Sequence, residues 1–316
     1  MRRRRIKIDG KKAYYHLMSR TVNGEPLFGN REREVFRKMI RQVADFSGVT
    51  VVTYAVMKNH FHLLVEVPAR VDVSDEELVR RYRTLYPKPT PWQPMTVEVL
   101  VSHLRKGTEE GQVIRRDLIR RMYDVSWMMK TLKQRFSLWF NKSRDRFGPL
   151  WSERFKSVLV EGDRWALQTV AAYIDLNAVR AGLVKDPKDY RFCGYGEAVV
   201  GSDVARSGLA LIGHDLVSYR RTLFGSGAGE KSGKASISRE DAVRVLEKEK
   251  GKLPLAAVLR CRVRYFSDGL ILGSTEFVKR HQVREPGARL GKAHPMGGAD
   301  WAGLSVARGL RKDRFG

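Results

Sequence analysis

Residues 49–68 read VTVVTYAVMKNHFHLLVEVP, two runs of β-branched and aromatic residues joined at Lys58-Asn59, the pattern of a hairpin. Side chains alternate between the faces of a strand, so His60, His62, Leu64 and Glu66 share one face while Phe61, Leu63, Val65 and Val67 share the other. The apolar face can enter a core. The histidine face cannot do so freely, because each buried neutral imidazole needs a hydrogen-bond partner. His60-Phe61-His62 is therefore either a metal-binding pair or two ordinary surface or core histidines, and the hairpin alone does not decide between them.

On the N-terminal side, residues 13–22, AYYHLMSRTV, predict a first strand closed by an Asn23-Gly24 turn. A helix is expected next, with Asn30 as N-cap, Val35, Phe36, Met39, Ile40 and Val43 at helical spacing, and Gly48 as its stop. Beyond the hairpin, residues 69–123 are charged and interrupted by PKPTPWQP at 87–94. They predict an inserted, partly helical excursion without recognisable chemistry. Asp124 opens a further helix whose stripe of Val125, Met128, Met129, Leu132, Phe136, Trp139 and Phe140 follows the helical period and reads as core rather than a base-stacking platform. Residues 155–161 predict a short strand, and Gly162-Asp163 begins a helix running to near Gly182, with Pro187 beyond. The order β-α-β-β-α-β-α is the ferredoxin-like split βαβ plan: an α+β fold with an antiparallel sheet, helices on one face and the histidines on the open one.

At 316 residues and 42% hydrophobic the chain is long enough to bury a substantial core. A formal net charge of +25 and a pI near 10.3 exceed what solubility requires and imply a polyanionic partner, nucleic acid before an acidic membrane. No segment approaches the roughly 18 to 20 consecutive apolar residues of a membrane-spanning helix. Arg2 to Arg5 begin like a charged leader, but Lys7, Asp9, Lys11 and Lys12 follow where an apolar stretch is needed, so a cytoplasmic protein is expected. The two cysteines, Cys193 and Cys261, have neither a disulfide framework nor metal-ligand spacing and read as small packed residues.

The last predicted helix contains YIDLNAVRAGLV, residues 173–184, in which Tyr173 and Asn177 stand one turn apart and offer a phenol and a carboxamide on one face. Asn177 is ambiguous between a capping and a functional role. Taken together, YYHLMSRTVNG, YAVMKNHFHLLVEVP, LKQRFSLWFNK, LWSERFKSVLVE and YIDLNAVRAGLVKDPKDYRFCGYGEA resemble the single-tyrosine HUH transposases, specifically the REP-associated tyrosine transposases. The resemblance covers most of residues 1–200 apart from the insertion. One departure is Ala178, where the family often has proline; it should merely let the helix run on.

The resemblance implies an HUH endonuclease-type fold and a metal-dependent single-strand DNA nickase and ligase acting near hairpin, REP-like sequences. Tyr173 would be the nucleophile, forming a 5′-phosphotyrosine, and His60, His62 and Asn177 the ligands of Mg²⁺ or Mn²⁺, although imidazole also accepts zinc. Implied partners are single-stranded or hairpin DNA, with no membrane, no small-molecule cofactor, a monomer or homodimer, and a bacterial-type, nucleoid-associated location. Arg2 to Arg5, Arg20, Lys58, Arg154, Lys156 and Arg180 are candidates for phosphate contact. The competing readings are a catalytically silent, domesticated hairpin-binding protein and a hydrolytic metallonuclease or RNA-binding module.

The expected organisation is a transposase domain over 1–200 with its insertion at about 69–123, a linker region over 201–237 that includes GSGAGEKSG at 225–233, and a helical, basic C-terminal module and tail over 238–316. In that module SREDAVRVLEKEK, LPLAAVLRCRVRY and STEFVKRHQ read as helices, either a helix-turn-helix-like DNA binder or a packing extension.

Overall fold

Strand β1 (Ala13–Arg20) lies between β3 (His60–Val67) and β4 (Lys156–Val160), and β2 (Thr50–Val56) closes the hairpin with β3. These four strands are antiparallel in the order β2-β3-β1-β4, the split βαβ arrangement. In the computed structural model, which describes residues 5–90, 93–213, 215–225, 266, 269–283, 290–296 and 303–309, the sheet continues to seven strands. Strand β5 (Gly269–Ser274) runs parallel to β4, and β7 (Leu304–Gly309) and β6 (Leu290–Pro295) follow antiparallel.

Helix α1 (Asn30–Ser47) starts one residue earlier than Asn30 as N-cap would require: Gly29 is the cap, and Asn30 Oδ1 accepts from Arg33. Gly48, at φ 62°, ends the helix in the left-handed conformation that glycine adopts at least cost. The insertion folds as α2 (Asp75–Leu85), α3 (Val97–Lys106) and α4 (Glu109–Arg120). Helix α5 (Val125–Ser143) begins at Asp124, whose Oδ1 accepts from the backbone N–H of Ser126 and Trp127. α1 and α5 cover the Phe61 face of the sheet, where the Phe36 ring sits 4.7 Å from Phe61 and 4.6 Å from Phe136 between centroids. The apolar stripe of α5 is thus core, apart from Trp139, which is only partly buried.

Three expectations are corrected. Helices do not occupy one face alone: α6 (Arg164–Asp175) crosses to the histidine face and packs on β2 and β3, so that face is buried rather than open. The helix predicted to run to Gly182 breaks at Leu176, and a single turn, α7 (Asn177–Arg180), follows. Its cause is local: the Asn177 amide donates to the carbonyls of Tyr173 and Ile174, competing with continued helix. Residues 203–225 are not linker but two helices, α9 (Asp203–Ala210) and α10 (Leu216–Gly225), after α8 (Gly194–Val199). They bury Ala205, Leu209, Tyr219 and Leu223, and Gly208 comes so close to β2 that a Cβ would stand 2.3 Å from the Val51 carbonyl.

The C-terminal module also differs over its described residues. STEFVKRHQ is a helix, α11 (Thr275–Val283), but it is set among three strands, not helices. β5 pairs with the edge that β4 would otherwise present to solvent. The expected helices at 238–265, the linker remainder at 226–237, Cys261 and Arg2 to Arg4 lie outside the described residues. Cys193 is buried as a packed residue.

Helix α6 is held in place by one carboxylate. Asp175 is fully buried and accepts from Thr53 Oγ1 of β2 at 2.9 Å, from Tyr219 Oη of α10 at 2.6 Å and from the backbone N–H of Tyr195 of α8 at 3.1 Å. Burial pushes its carboxyl up to about 6, partly opposed by those donors. Asp175→Ala leaves three buried donors without an acceptor and is expected to destabilise the protein by about 3 to 5 kcal/mol in urea unfolding. Asp175→Asn, which keeps the volume and one carbonyl acceptor, should cost about 1 to 3 kcal/mol. Equal stability of Asp175→Ala and wild type would show that the carboxylate does not anchor α6.

Candidate active site

The alternation of β3 puts His60 and His62 on the face that meets α6, their rings 5.2 Å apart and perpendicular. His60 is half-buried and its Nδ1 stands 2.7 Å from Asn59 Oδ1. The Asn59 amide nitrogen is already committed to the Gly24 carbonyl, so its oxygen is the end that faces His60. An amide oxygen only accepts, so His60 Nδ1 carries the proton and Nε2 carries the lone pair.

His62 is buried, with its Nδ1 2.9 Å from Nε2 of a third histidine, His16 of β1. His16 lies across from Leu64 and diagonal to His62 on the same face. Burial pushes His16 down to about 3 and His60 down to about 4, and drives His62 well below the ordinary imidazole range; Arg180 adds to all three and Arg20 to His60 and His62. All three rings are neutral at physiological pH. The Phe266 carbonyl favours a proton on His16 without reaching hydrogen-bond geometry, since His16 Nδ1 has no partner among the described residues. With that proton on Nδ1, His16 Nε2 accepts from His62, and the free lone pair of His62 falls on Nε2. His16 was invisible to sequence reasoning because nothing in AYYHLMSRTV distinguishes it until β1 is paired with β3.

Tyr173 of α6 meets this cluster from above. Its ring centroid lies 5.6 Å from His62 and 5.8 Å from His16, in edge-to-face contact with both. Phe266 stacks on it at 4.2 Å and the Arg180 guanidinium sits 4.1 Å from its centroid, which leaves one on each face. Arg180 also donates through Nη2 to the Tyr173 carbonyl, and its Nη1 is buried without a partner among the described residues. Arg180 is therefore a site residue rather than a surface cation. Tyr173 is only 2% exposed, so a phosphate reaches it only when the covering ring moves.

The proposed metal ligands are only partly assembled. Two neutral imidazoles on one strand, each with its Nδ1 engaged and Nε2 available, have the outer hydrogen bonding that orients histidine ligands, and in this they fit a divalent ion. Asn177, one turn from Tyr173, turns its amide nitrogen to α6 and keeps its oxygen as acceptor, but no hydrogen bond joins it to either histidine. Among the described residues no group of three or more His, Cys, Asp or Glu is placed to hold an ion. The remaining candidates, Arg20, Lys58, Arg154 and Lys156, are exposed and gather at the end of the sheet where β1 ends and β3 and β4 begin.

The suppressed imidazoles set a pH dependence. Between pH 6.5 and about 4 the unfolded chain binds protons that the folded histidines refuse, so stability falls as pH falls, by at most about 1.4 kcal/mol per pH unit per histidine. Asp175, raised to about 6, binds its proton more readily when folded and offsets part of this slope. Urea unfolding across that range should show the loss in wild type and a shallower loss in His60→Ala. Parallel slopes would mean that His60 is protonated in the folded protein.

Residues 10–85 match the family model described as "Transposase IS200 like". The chain is also similar to a solved REP-associated tyrosine transposase bound to a REP hairpin, at 14% identity and a TM-score of 0.41 over 65% of this chain and 90% of that one. No curated protein matches. Among the described residues no helix is long and apolar enough to cross a membrane. The stretch that matches this family model carries His16, His60 and His62.

Proposed function

We propose that this protein is a metal-dependent single-strand DNA nickase and strand transferase that acts beside hairpin DNA through a phosphotyrosine intermediate. The observation that carries the reading is the packing of Tyr173 against His62 and His16, with His60 beside them, on a face also supplied with Arg180 and Arg20. The IS200-like match over the strands that bear the histidines supports it.

A free tyrosine, with a pKa of about 10, is a weak nucleophile at neutral pH. The Arg180 guanidinium lies over the ring, where it would meet a phosphate oxygen and offset its charge. The phenolate oxygen attacks phosphorus in line, forming the Tyr173 O–P bond as the P–O3′ bond breaks, and leaves a 5′-phosphotyrosine and a free 3′-OH. One phosphodiester replaces another, so a second 3′-OH can reverse the step without ATP. A Mg²⁺ or Mn²⁺ ion held by His60, His62 and Asn177 would supply Lewis-acid polarisation of the scissile phosphate. Arg20, Lys58, Arg154 and Lys156 would track the strand. One observation favours a catalytically silent hairpin binder instead: the near-complete burial of Tyr173.

Incubation with Mn²⁺ and a labelled single-stranded oligonucleotide carrying a hairpin from DNA flanking its own gene, followed by a denaturing gel, separates the two. The expected result is a covalent protein–DNA band that is absent in Tyr173→Phe and His60→Ala. Arg180→Ala should slow its formation about 100-fold, the order lost with one preorganised donor to a transition-state oxygen. Tight hairpin binding with no covalent band in wild type would replace the enzyme with the silent binder.

A further inference from the structure

The insertion builds a second feature, on the sheet side opposite Tyr173. The C-terminal end of α2 and the loop after it face α5 across a cavity of about 750 Å³. Its walls include Tyr86, Trp127 and Trp139 together with Arg121, Lys130 and Arg135, and no Asp or Glu is among them. The cations lie on the rings: Lys130 Nζ is 4.6 Å from the Trp127 centroid and the Arg135 guanidinium carbon 4.6 Å from that of Tyr86. Arg121 Nε and Arg135 Nε are buried and have no hydrogen-bond partner among the described residues. Burial lowers the Arg135 pKa, the mark of a cation that lacks a compensating anion.

Aromatic faces combined with uncompensated cations match a ligand that carries both a flat ring and a phosphate. The volume lies within the roughly 300 to 1,000 Å³ of ligand pockets and is too small for a duplex, whose major groove alone is about 12 Å wide. The nucleotide cleaved at Tyr173 cannot be the occupant, because α1, α5 and the sheet lie between. We propose that this cavity holds an unpaired nucleotide of the DNA strand flanking the hairpin, its base against the Trp127 ring and its phosphate against Arg121 and Lys130, the two cations on that ring. The assignment rests on the single-strand DNA reading above but not on cleavage. It gives the insertion a role: holding the flanking strand while the opposite face performs the exchange.

Anisotropy titrations of the full chain without divalent metal test it, using a labelled hairpin alone and the same hairpin with single-stranded extensions of about ten nucleotides, within the span one such groove covers. Wild type should bind the extended probe more tightly than the bare hairpin. Trp127→Ala and Lys130→Ala should each lose about 10-fold of that gain, the order expected for one stacked base, with bare-hairpin affinity unchanged. Trp127→Phe, which retains a stacking face, should keep most of it. Lys130 is exposed, so its variant keeps the test readable if the tryptophan variants fold poorly.

No gain from the extension in wild type, or variants that weaken hairpin and extended probes alike, would overturn the assignment. Tighter binding of a ribonucleotide extension than of the deoxyribonucleotide one would overturn it in favour of RNA. Because no step requires metal or covalent chemistry, absence of the phosphotyrosine adduct would refute the enzyme and leave this result standing.

Discussion

The position of the candidate nucleophile depends on the buried carboxylate of Asp175. A carboxylate removed from water must be compensated, and here the compensation comes from Thr53, Tyr195 and Tyr219, on three separate elements. α6 therefore cannot slide or rotate on β2 without stranding a charge, and Tyr173, two residues away, is fixed over the histidines. Glu197 shows the contrasting solution. Although burial acts to raise its pKa, the Arg41 and Arg37 guanidiniums hold it below the usual carboxylate range, with Tyr54 as a further donor. Asp175 has only neutral donors, and burial raises its carboxyl to about 6.

A chain of hydrogen bonds orders the histidines in the same way. Asn59 fixes the His60 tautomer because its own amide nitrogen is spent on Gly24, and His16 sits where it can accept from His62. Both lone pairs then fall on Nε2 with no carboxylate bonded to either ring. The usual partner of a metal-bound histidine is a carboxylate or a carbonyl. Here an amide and a second imidazole hold the His60 and His62 rings, and neither partner adds charge.

The sequence made the first four strands and their helices legible, because alternation in VTVVTYAVMKNHFHLLVEVP and helical spacing after Gly29 and Asp124 are local signals. Spacing and the family resemblance also nominated His60, His62, Tyr173 and Asn177, of which the fold brings His60, His62 and Tyr173 together. What was not legible depends on partners far along the chain. Thr53 and Asp175 are 122 residues apart, and His16 and His62 are 46 apart, so neither pair has a local signature. The break at Leu176 lies in a side chain that bonds to its own helix, and β5 joins the sheet through β4, a partner far away along the chain. Residues 203–225 resemble a linker beside glycine-rich sequence but carry Leu209, Tyr219 and Leu223 at buried positions.

The excess of positive charge has a structural expression on both faces of the sheet. Among the described residues, on the histidine face Arg180 sits over the Tyr173 ring with Nη1 unpartnered, and on the opposite face Arg121 and Arg135 keep Nε unpartnered beside tryptophan and tyrosine rings. Solvated lysines and arginines could raise the net charge at little cost anywhere on the surface. A guanidinium nitrogen withdrawn from water and left without an acceptor carries a desolvation cost that an incoming phosphate would relieve. Arg37 and Arg41 also keep Nε unpartnered among the described residues, but their other nitrogens are spent on Glu197; the places at Arg180 and at Arg121 and Arg135, separated by the sheet, suit one strand that passes from one face to the other better than a diffuse basic surface does.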